Sequence, residues 1–389
     1  METLRLVLAA ALALFAVGAL LQLVWGGANI PLLSYVPPPL SQPPFDAAVL
    51  KLSVVVAARD EERHIETAVA ALLNQSYPDF ELIVVDDRSA DRTAEILSRL
   101  SRSNPRLRVV RVDHLPAGWL GKNHALHIGA AGATGELLLF ADADVVMRPD
   151  VVARAVRLLQ VERADHLAVA PDLVLPTWPL ALVVNYFMMW FLLWLRPWKA
   201  RDARSSAFVG IGAFNLVRAA SYHAVGGHSR IPLRPDDDLM LGKILKDAGH
   251  RQIVAAGDRD VVVEWYRTLG ELARGFRKNA YAGMRYSTTL TIGTVVGNLI
   301  LAVWPFVAIW LTVGVERGLY LTSAIAQMIA YAGPAAKQRT YPWLALLYPI
   351  AALLFITILA AAVGRTLRRR GIEWRGTRYS LDELRANRV

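Results

Sequence analysis

The sequence contains no cysteine. Disulfides, thiolate zinc sites, iron–sulfur clusters and a cysteine nucleophile are therefore excluded, and redox chemistry says nothing about the compartment. There is no G-x-x-x-x-G-K-[ST] phosphate loop and no G-x-G-x-x-G fingerprint, so no glycine-rich cradle is available to hold a nucleotide. Charge is scarce as well. Asp, Glu, Lys and Arg make up 20% of the 389 residues, against 54% hydrophobic. A disordered, solvating chain needs the opposite balance. The mean hydropathy of +0.34 is too high for one soluble core and points to a membrane.

The apolar residues are concentrated at the two ends. Leu6 to Trp25 is long enough to cross a hydrocarbon core. It reads as an uncleaved anchor, because it exceeds a signal peptide's apolar region and Gly26-Gly27 offers no A-x-A cleavage pattern. A Pro-rich stretch, Pro31 to Pro44, follows as a stiff linker. Near the other end, Ile292–Val313 and Trp343–Val363 read as spans, and Leu319–Gly333 as a shorter, re-entrant or interfacial piece. From Arg365 to Arg388 eight arginines face Glu373, Asp382 and Glu383, an excess of five within a net charge of +10. The positive-inside rule puts this basic tail (365–389) on the cytoplasmic side. The basic excess thus reflects topology and lipid headgroups, and no nucleic-acid partner is expected. Leu180–Leu195, rich in Trp and Met, reads as an interfacial helix with Trp178, Trp194 and Trp198 at headgroup depth. A buried core helix of the soluble domain is its competing reading.

Between the anchors the pattern changes. Leu52–Ala57, Glu81–Asp86, Leu107–Val112, Glu136–Ala141 and His166–Ala170 read as buried parallel strands. Glu61–Gln75, Thr93–Arg102, Asn123–Ala131 and Pro149–Gln160 carry helical spacing, with Pro149 in a first turn. The alternation predicts an α/β domain with a mainly parallel sheet, whose ligands bind beyond the carboxyl ends of the strands.

Acidic residues fall at those ends: Arg59-Asp60-Glu61, Asp86-Asp87-Arg88 and Asp142-Ala143-Asp144. Turns favour single aspartates, but three such exits on one edge suggest a polar ligand or a divalent cation. Two carboxylates spaced as Asp142 and Asp144 can share Mg²⁺ or Mn²⁺ bridging to a diphosphate. Farther on, Asp236-Asp237-Asp238 opens a helical run. Capping accounts for one of these; crowding raises the pKa of the others, which suits a proton acceptor.

Ser53–Glu62, Val84–Ser89, Phe140–Asp144 and Asp237-Asp238 together resemble the ordered motifs of inverting family-2 glycosyltransferases with the GT-A fold. Gly118–Lys122 and Trp374–Tyr379 resemble the membrane-anchored, lipid-glycosylating branch, which includes hopene-associated, carotenoid and ceramide glycosyltransferases. The resemblance covers nearly the whole chain. It implies an anchor over 1–28, a linker over 29–50, a cytoplasmic catalytic domain over 51–285 and transmembrane segments over 286–364. The setting it implies is a bacterial inner membrane.

The resemblance also implies roles. Asp87 would read the nucleotide base, with Ala58, Arg59 and Glu61 lining that pocket, and Lys122 would approach the donor. Asp142 would contact the ribose or sugar, Asp144 the metal, and Asp238 would be the general base beside Asp237. The donor would be a nucleotide-diphospho-sugar, a UDP-sugar first, and the acceptor a lipid admitted along Leu180–Leu195. One motif departs. Where processive relatives carry Q-x-x-R-W, this chain has Arg274-Gly275-Phe276-Arg277-Lys278-Asn279. Arg274, Arg277 and Lys278 could neutralise the diphosphate or meet lipid phosphates, and a polysaccharide synthase is disfavoured. A polyprenyl-phosphate sugar synthase and a non-catalytic sugar-nucleotide-binding protein are the other readings.

Overall fold

The computed structural model describes residues 2–36 and 49–387; most of the expected Pro-rich linker lies outside them. Helix α1 (Glu2–Ala28) precedes β1 (Leu52–Ala58), α2 (Ile65–Leu73), β2 (Phe80–Asp87), α3 (Thr93–Ser103), β3 (Leu107–Val112) and α4 (Gly121–Ala131). Next come β4 (Leu137–Asp142), β5 (Val145–Met147), α5 (Val151–Val161), β6 (His166–Ala170), β7 (Asp172–Leu173) and α6 (Trp178–Leu195). Then follow β8 (Asn215–Arg218), α7 (Ala219–Ala224), α8 (Asp237–Asp247), β9 (Gln252–Ala256), β10 (Val261–Val263) and α9 (Leu269–Gly283). The chain ends with α10 (Thr288–Asn298), α11 (Trp304–Leu311), α12 (Gly314–Lys337), α13 (Tyr348–Arg369), β11 (Gly371–Trp374), β12 (Thr377–Ser380) and α14 (Leu381–Ala386).

The chain divides into two units. The first, built mainly from Ile30–Leu173 and Pro197–Glu264, is the expected α/β domain. Its seven-stranded sheet runs β3-β2-β1-β4-β8-β6-β9. Every pairing is parallel except those of β8, which is antiparallel to both β4 and β6. Val54, Val55 and Val56 of β1 are all buried. Helices cover both faces, so residues pointing either way are apolar and the strand reads as an unbroken run.

Several local boundaries differ from the sequence reading. Helix α2 begins at Ile65 rather than Glu61, because Asp60 takes a left-handed backbone (φ 54) and a turn intervenes. Helix α5 begins at Val151, so Pro149 stands before it and Asp150 is the capping position. Trp198 is buried within the α/β unit and is no headgroup anchor; Trp178 and Trp194 are exposed.

One polar pair fixes the antiparallel strand. The His166 ring on β6 hydrogen-bonds the Asn215 amide oxygen on β8 through Nε2. Burial pushes His166 down from 6.5 to about 4, so the ring is neutral in the fold. The unfolded chain takes up that proton at higher pH. The contribution to stability is therefore complete above about pH 6.5 and is lost as pH falls toward about 4, at about 1.4 kcal/mol per unit. Between about pH 7 and about pH 5, wild type should lose about 2 kcal/mol more than His166→Gln. Equal losses on denaturation at the two pH values would refute this.

The second unit comprises Met1–Asn29, Val174–Arg196 and Trp265–Arg385. Four helical stretches are long and apolar enough to cross a membrane: Glu2–Ala28, Trp178–Lys199, Thr288–Leu311 and Pro342–Arg369. Within this unit α6 packs on α12 and α13, so it is not a core helix of the α/β domain. Helix α12 is a continuous 24-residue helix rather than a short piece. The expected basic tail is also structured. Strands β11 and β12 form a hairpin whose two-residue turn, Arg375-Gly376, has positive φ at both positions (47° and 76°), the geometry that suits strand twist.

Candidate active site

Parallel pairing brings the strand exits together. Ala58 of β1 stands opposite Asp86 of β2, and Ala57 opposite Asp142 of β4. Two residues just past or at these exits, Asp60 and Arg88, have positive φ (54° and 57°). Such strained backbone is concentrated at functional sites.

Asp87 is buried and held by arginine. Arg88 donates from Nε at 2.7 Å and from Nη2 at 3.0 Å, and Arg59 Nη1 approaches at 3.6 Å. Gly121, which opens α4, sits so close that a Cβ there would collide with the Asp87 carboxylate. Glu61 follows the exit of β1, beyond Arg59, and anchors the turn through its N–H to Thr93 Oγ1, 2.8 Å.

Helix α4 carries Lys122 one residue into its first turn. Its ammonium lies 2.8 Å from Asp142 Oδ1 and 3.3 Å from Asp237 Oδ1. Burial alone would lower Lys122, but the charges of Asp142, Asp237 and Asp238 outweigh it and hold it well above its ordinary value. The neighbouring Asn123 is buried and donates to the carbonyls of Ile231 (2.6 Å) and Arg234 (2.9 Å). It thereby pins the turn leading into α8, at whose start the acidic triplet lies.

The three aspartates of that triplet do different things. Asp236 turns away into an ion pair with Arg234, 2.7 Å. Asp237 is buried, and its carboxyl is pushed up to about 7, by burial first and then by Asp238 and Asp142 against the pull of Lys122. Asp238 is half-buried, and its carboxylate accepts the Gly212 N–H at 2.6 Å. Burial also raises Asp238, with Lys122 opposing and Asp142 adding to the rise. Lys122, Asp142, Asp237 and Asp238 line one small pocket with Phe140, Gly212, Asn215 and His228. Asp144, two residues beyond Asp142, is raised to about 7 by burial and by the charges of Asp142 and Glu61.

The Gly210–Gly212 segment escaped the sequence reading. The Gly212 carbonyl accepts the Asp142 N–H at 3.0 Å and its own N–H donates to Asp238, joining the two acidic segments through one residue. A Cβ on Gly212 would meet Asp142 Oδ2 at 2.6 Å, whereas one on Gly210 would strike the Asp238 backbone. Gly212→Ala should therefore displace only the Asp142 carboxylate, costing about 100-fold in turnover through misplacement of a site group, with melting little changed. Gly210→Ala should instead destabilise the fold. Equal melting and equal turnover of the two variants would refute the distinction. His228 was also unforeseen. Buried beneath Phe140, it bonds Tyr222 Oη at 2.9 Å, and burial, then Lys122, push it down to about 3.

Arg274, Arg277 and Lys278 lie on α9, in the helical unit rather than the α/β unit. The structure brings together Ala58, Arg59 and Asp87 on one side of the strand edge and Lys122, Asp142, Asp237 and Asp238 on the other.

Residues 53–221 match the family described as Glycosyl transferase family 2. This is a family-2 glycosyltransferase domain. The glycosyltransferase has a full-length relative in 4,4'-diaponeurosporenoate glycosyltransferase of Staphylococcus aureus, 24% identical over 345 residues, or 85% of this chain and 89% of that protein. An uncharacterized glycosyltransferase of Nostoc is 30% identical over 111 residues, 28% of this chain and 33% of that one. Among solved structures, a mannosyltransferase of Pyrobaculum calidifontis in complex with GDP-Man and Mn²⁺ shares the fold. It is 20% identical with a TM-score of 0.53, over 94% of this chain and 99% of that one. The glycosyltransferase domain thus has the GT-A architecture.

Proposed function

We propose that the protein transfers a hexose from a nucleotide-diphospho-sugar to a hydroxyl of a membrane lipid, inverting the anomeric carbon. The observation that carries this is the Lys122–Asp142–Asp237–Asp238 cluster, with one Asp238 oxygen fixed by Gly212. Fixing one oxygen leaves the other to accept a proton, and the raised pKa suits a base. Asp238 takes the hydroxyl proton as the acceptor oxygen attacks the anomeric carbon. The bond to the diphosphate breaks on the opposite face, and the nucleoside diphosphate leaves with the electron pair. Holding acceptor and donor in line supplies much of the rate.

Asp142 and Asp144 fit a divalent cation. They offer hard oxygen donors, and the crowding that raises Asp144 is relieved by positive charge. Among the described residues no cluster of three potential metal ligands occurs. Mg²⁺ often takes one or two carboxylates plus substrate phosphates. The cation would supply Lewis-acid neutralisation of the diphosphate. Asp87, with Ala58, Arg59 and Glu61, is the proposed base pocket. The relative acting on diaponeurosporenoate and the apolar helices support a lipid acceptor. The arginine-rich end supports a cytoplasmic face of a bacterial inner membrane. Helix α6, with half-buried Met188 and Trp190, is the proposed lipid entry.

The test incubates membranes carrying the protein with radiolabelled UDP-glucose, UDP-N-acetylglucosamine or GDP-mannose, with Mn²⁺ or Mg²⁺ and a lipid extract. Label should enter the organic phase from one donor, a UDP-sugar first, and the Pyrobaculum complex makes GDP-mannose the second choice. Transfer that survives in Asp144→Asn and Asp238→Asn would overturn the site assignment.

A further inference from the structure

Four arginines gather in the helical unit. Arg274 and Arg277 lie a turn apart on α9, and Arg365 and Arg369 a turn apart on α13. The two helices are tied together where the Thr366 hydroxyl donates to the Arg277 carbonyl at 3.5 Å. That contact sets the α13 turn bearing Arg365 and Arg369 beside Arg277, and Arg277 is held below its ordinary value by partial desolvation first and then by the charges of Arg365, Arg274 and Arg369. All four side chains are exposed. Glu373 meets Arg369 at 3.4 Å. Among the described residues no carboxylate lies within ion-pair distance of the other three. A cluster of like charges this poorly opposed disfavours the compact state unless an anion enters it.

Beside the arginines lies an aromatic surface. Phe276, between Arg274 and Arg277 on α9, sets its ring 5.3 Å from Phe187 of α6 and 6.2 Å from Phe355 of α13. Trp265 adds a ring 5.9 Å from Phe187. All four rings are half-buried. Phe355 precedes Arg365 by ten positions on α13, roughly 15 Å of helix. Helix α13 belongs to a stretch apolar enough to cross a membrane. Its basic end thus stands at headgroup level, with the Phe355 ring about an acyl half-length deeper.

We propose that this surface binds one anionic phospholipid, its phosphate among Arg274, Arg277, Arg365 and Arg369 and an acyl chain along Phe187, Phe276 and Phe355. Charge complementarity selects an anionic headgroup over a zwitterionic one. The rings select a lipid over a soluble diphosphate, which has no chain to lay on them.

The test is native mass spectrometry of the purified full chain in detergent, with phosphatidylglycerol or phosphatidylcholine added. It needs no glycosyl transfer, so failure of the transfer assay leaves it intact. Phosphatidylglycerol should be retained preferentially, and Arg277→Gln/Arg365→Gln should weaken its retention about thirtyfold, the effect of removing two basic contacts. Arg277→Lys/Arg365→Lys should keep the preference, which separates lost charge from a damaged fold. Equal retention of both lipids, or loss in the Lys pair as large as in the Gln pair, would overturn the proposal. So would displacement of bound lipid by inorganic phosphate or UDP, which would mark a free-phosphate or diphosphate site instead.

Discussion

Asp238→Asn should lower kcat for a hydroxyl acceptor by about 10²- to 10⁴-fold, the usual range for losing a positioned general base. The substitution is nearly isosteric, and the Asn side-chain oxygen can still accept the Gly212 N–H that now reaches Asp238 at 2.6 Å. Melting and the KM for the donor should therefore stay near wild type, confining the defect to turnover. Asp237→Asn should behave differently, because Asp237 faces Lys122 at 3.3 Å and its loss removes a countercharge. An acceptor that is already a carboxylate has no proton to surrender. With such an acceptor the Asp238→Asn penalty should shrink sharply, so the same variant also reports the chemical class of the acceptor. Steady-state transfer of labelled sugar is the measurement, and unchanged kcat with a hydroxyl acceptor would remove Asp238 from the role of base.

The second large effect is expected at Lys122. Its ammonium is shared by Asp142 and Asp237, and the Asp237 side chain is only 4% exposed. Lys122→Met leaves that carboxylate buried without a positive partner, and breaking one side of a buried pair typically costs about 3–5 kcal/mol. Asp142 would lose its 2.8 Å contact as well. Transfer should fall with stability. Adding Asp237→Asn removes the stranded charge, so the double variant should regain most of the melting temperature yet not the activity. A Lys122→Met protein that melts like wild type would show that the ion pairs contribute nothing to the fold.

Much of this site was legible in the sequence for a physical reason. Strands β1, β2 and β4 are buried on both faces, so each is a short apolar run, and the carboxylates at their ends interrupt that run abruptly. Strand β8 was not legible. It has four residues, places the polar Asn215 in a buried position, and runs against its neighbours. Gly210 and Gly212 announce themselves only by short spacing. Their need for a bare Cα comes from Asp142 and Asp238, a contact that no local pattern records. Asn123 and His228 were lone polar residues whose partners lie elsewhere in the sequence. Arg365 and Arg369 read as topological charge until α13 was found packed against α9.

The place of β8 in the sheet has a consequence for biosynthesis. Strand β8 fills the gap between β4 and β6, but the chain forms α6, part of the helical unit, before β8 is made. During translation β4 keeps one open edge, and β6 awaits both of its partners, β8 and β9. From the end of β6 to the start of β8, at about 5–20 residues per second, this state lasts roughly 2–9 s. Exposed strand edges recruit other chains. The nascent protein therefore carries an aggregation hazard while α6 is emerging, and the sheet closes only once β8 has been made.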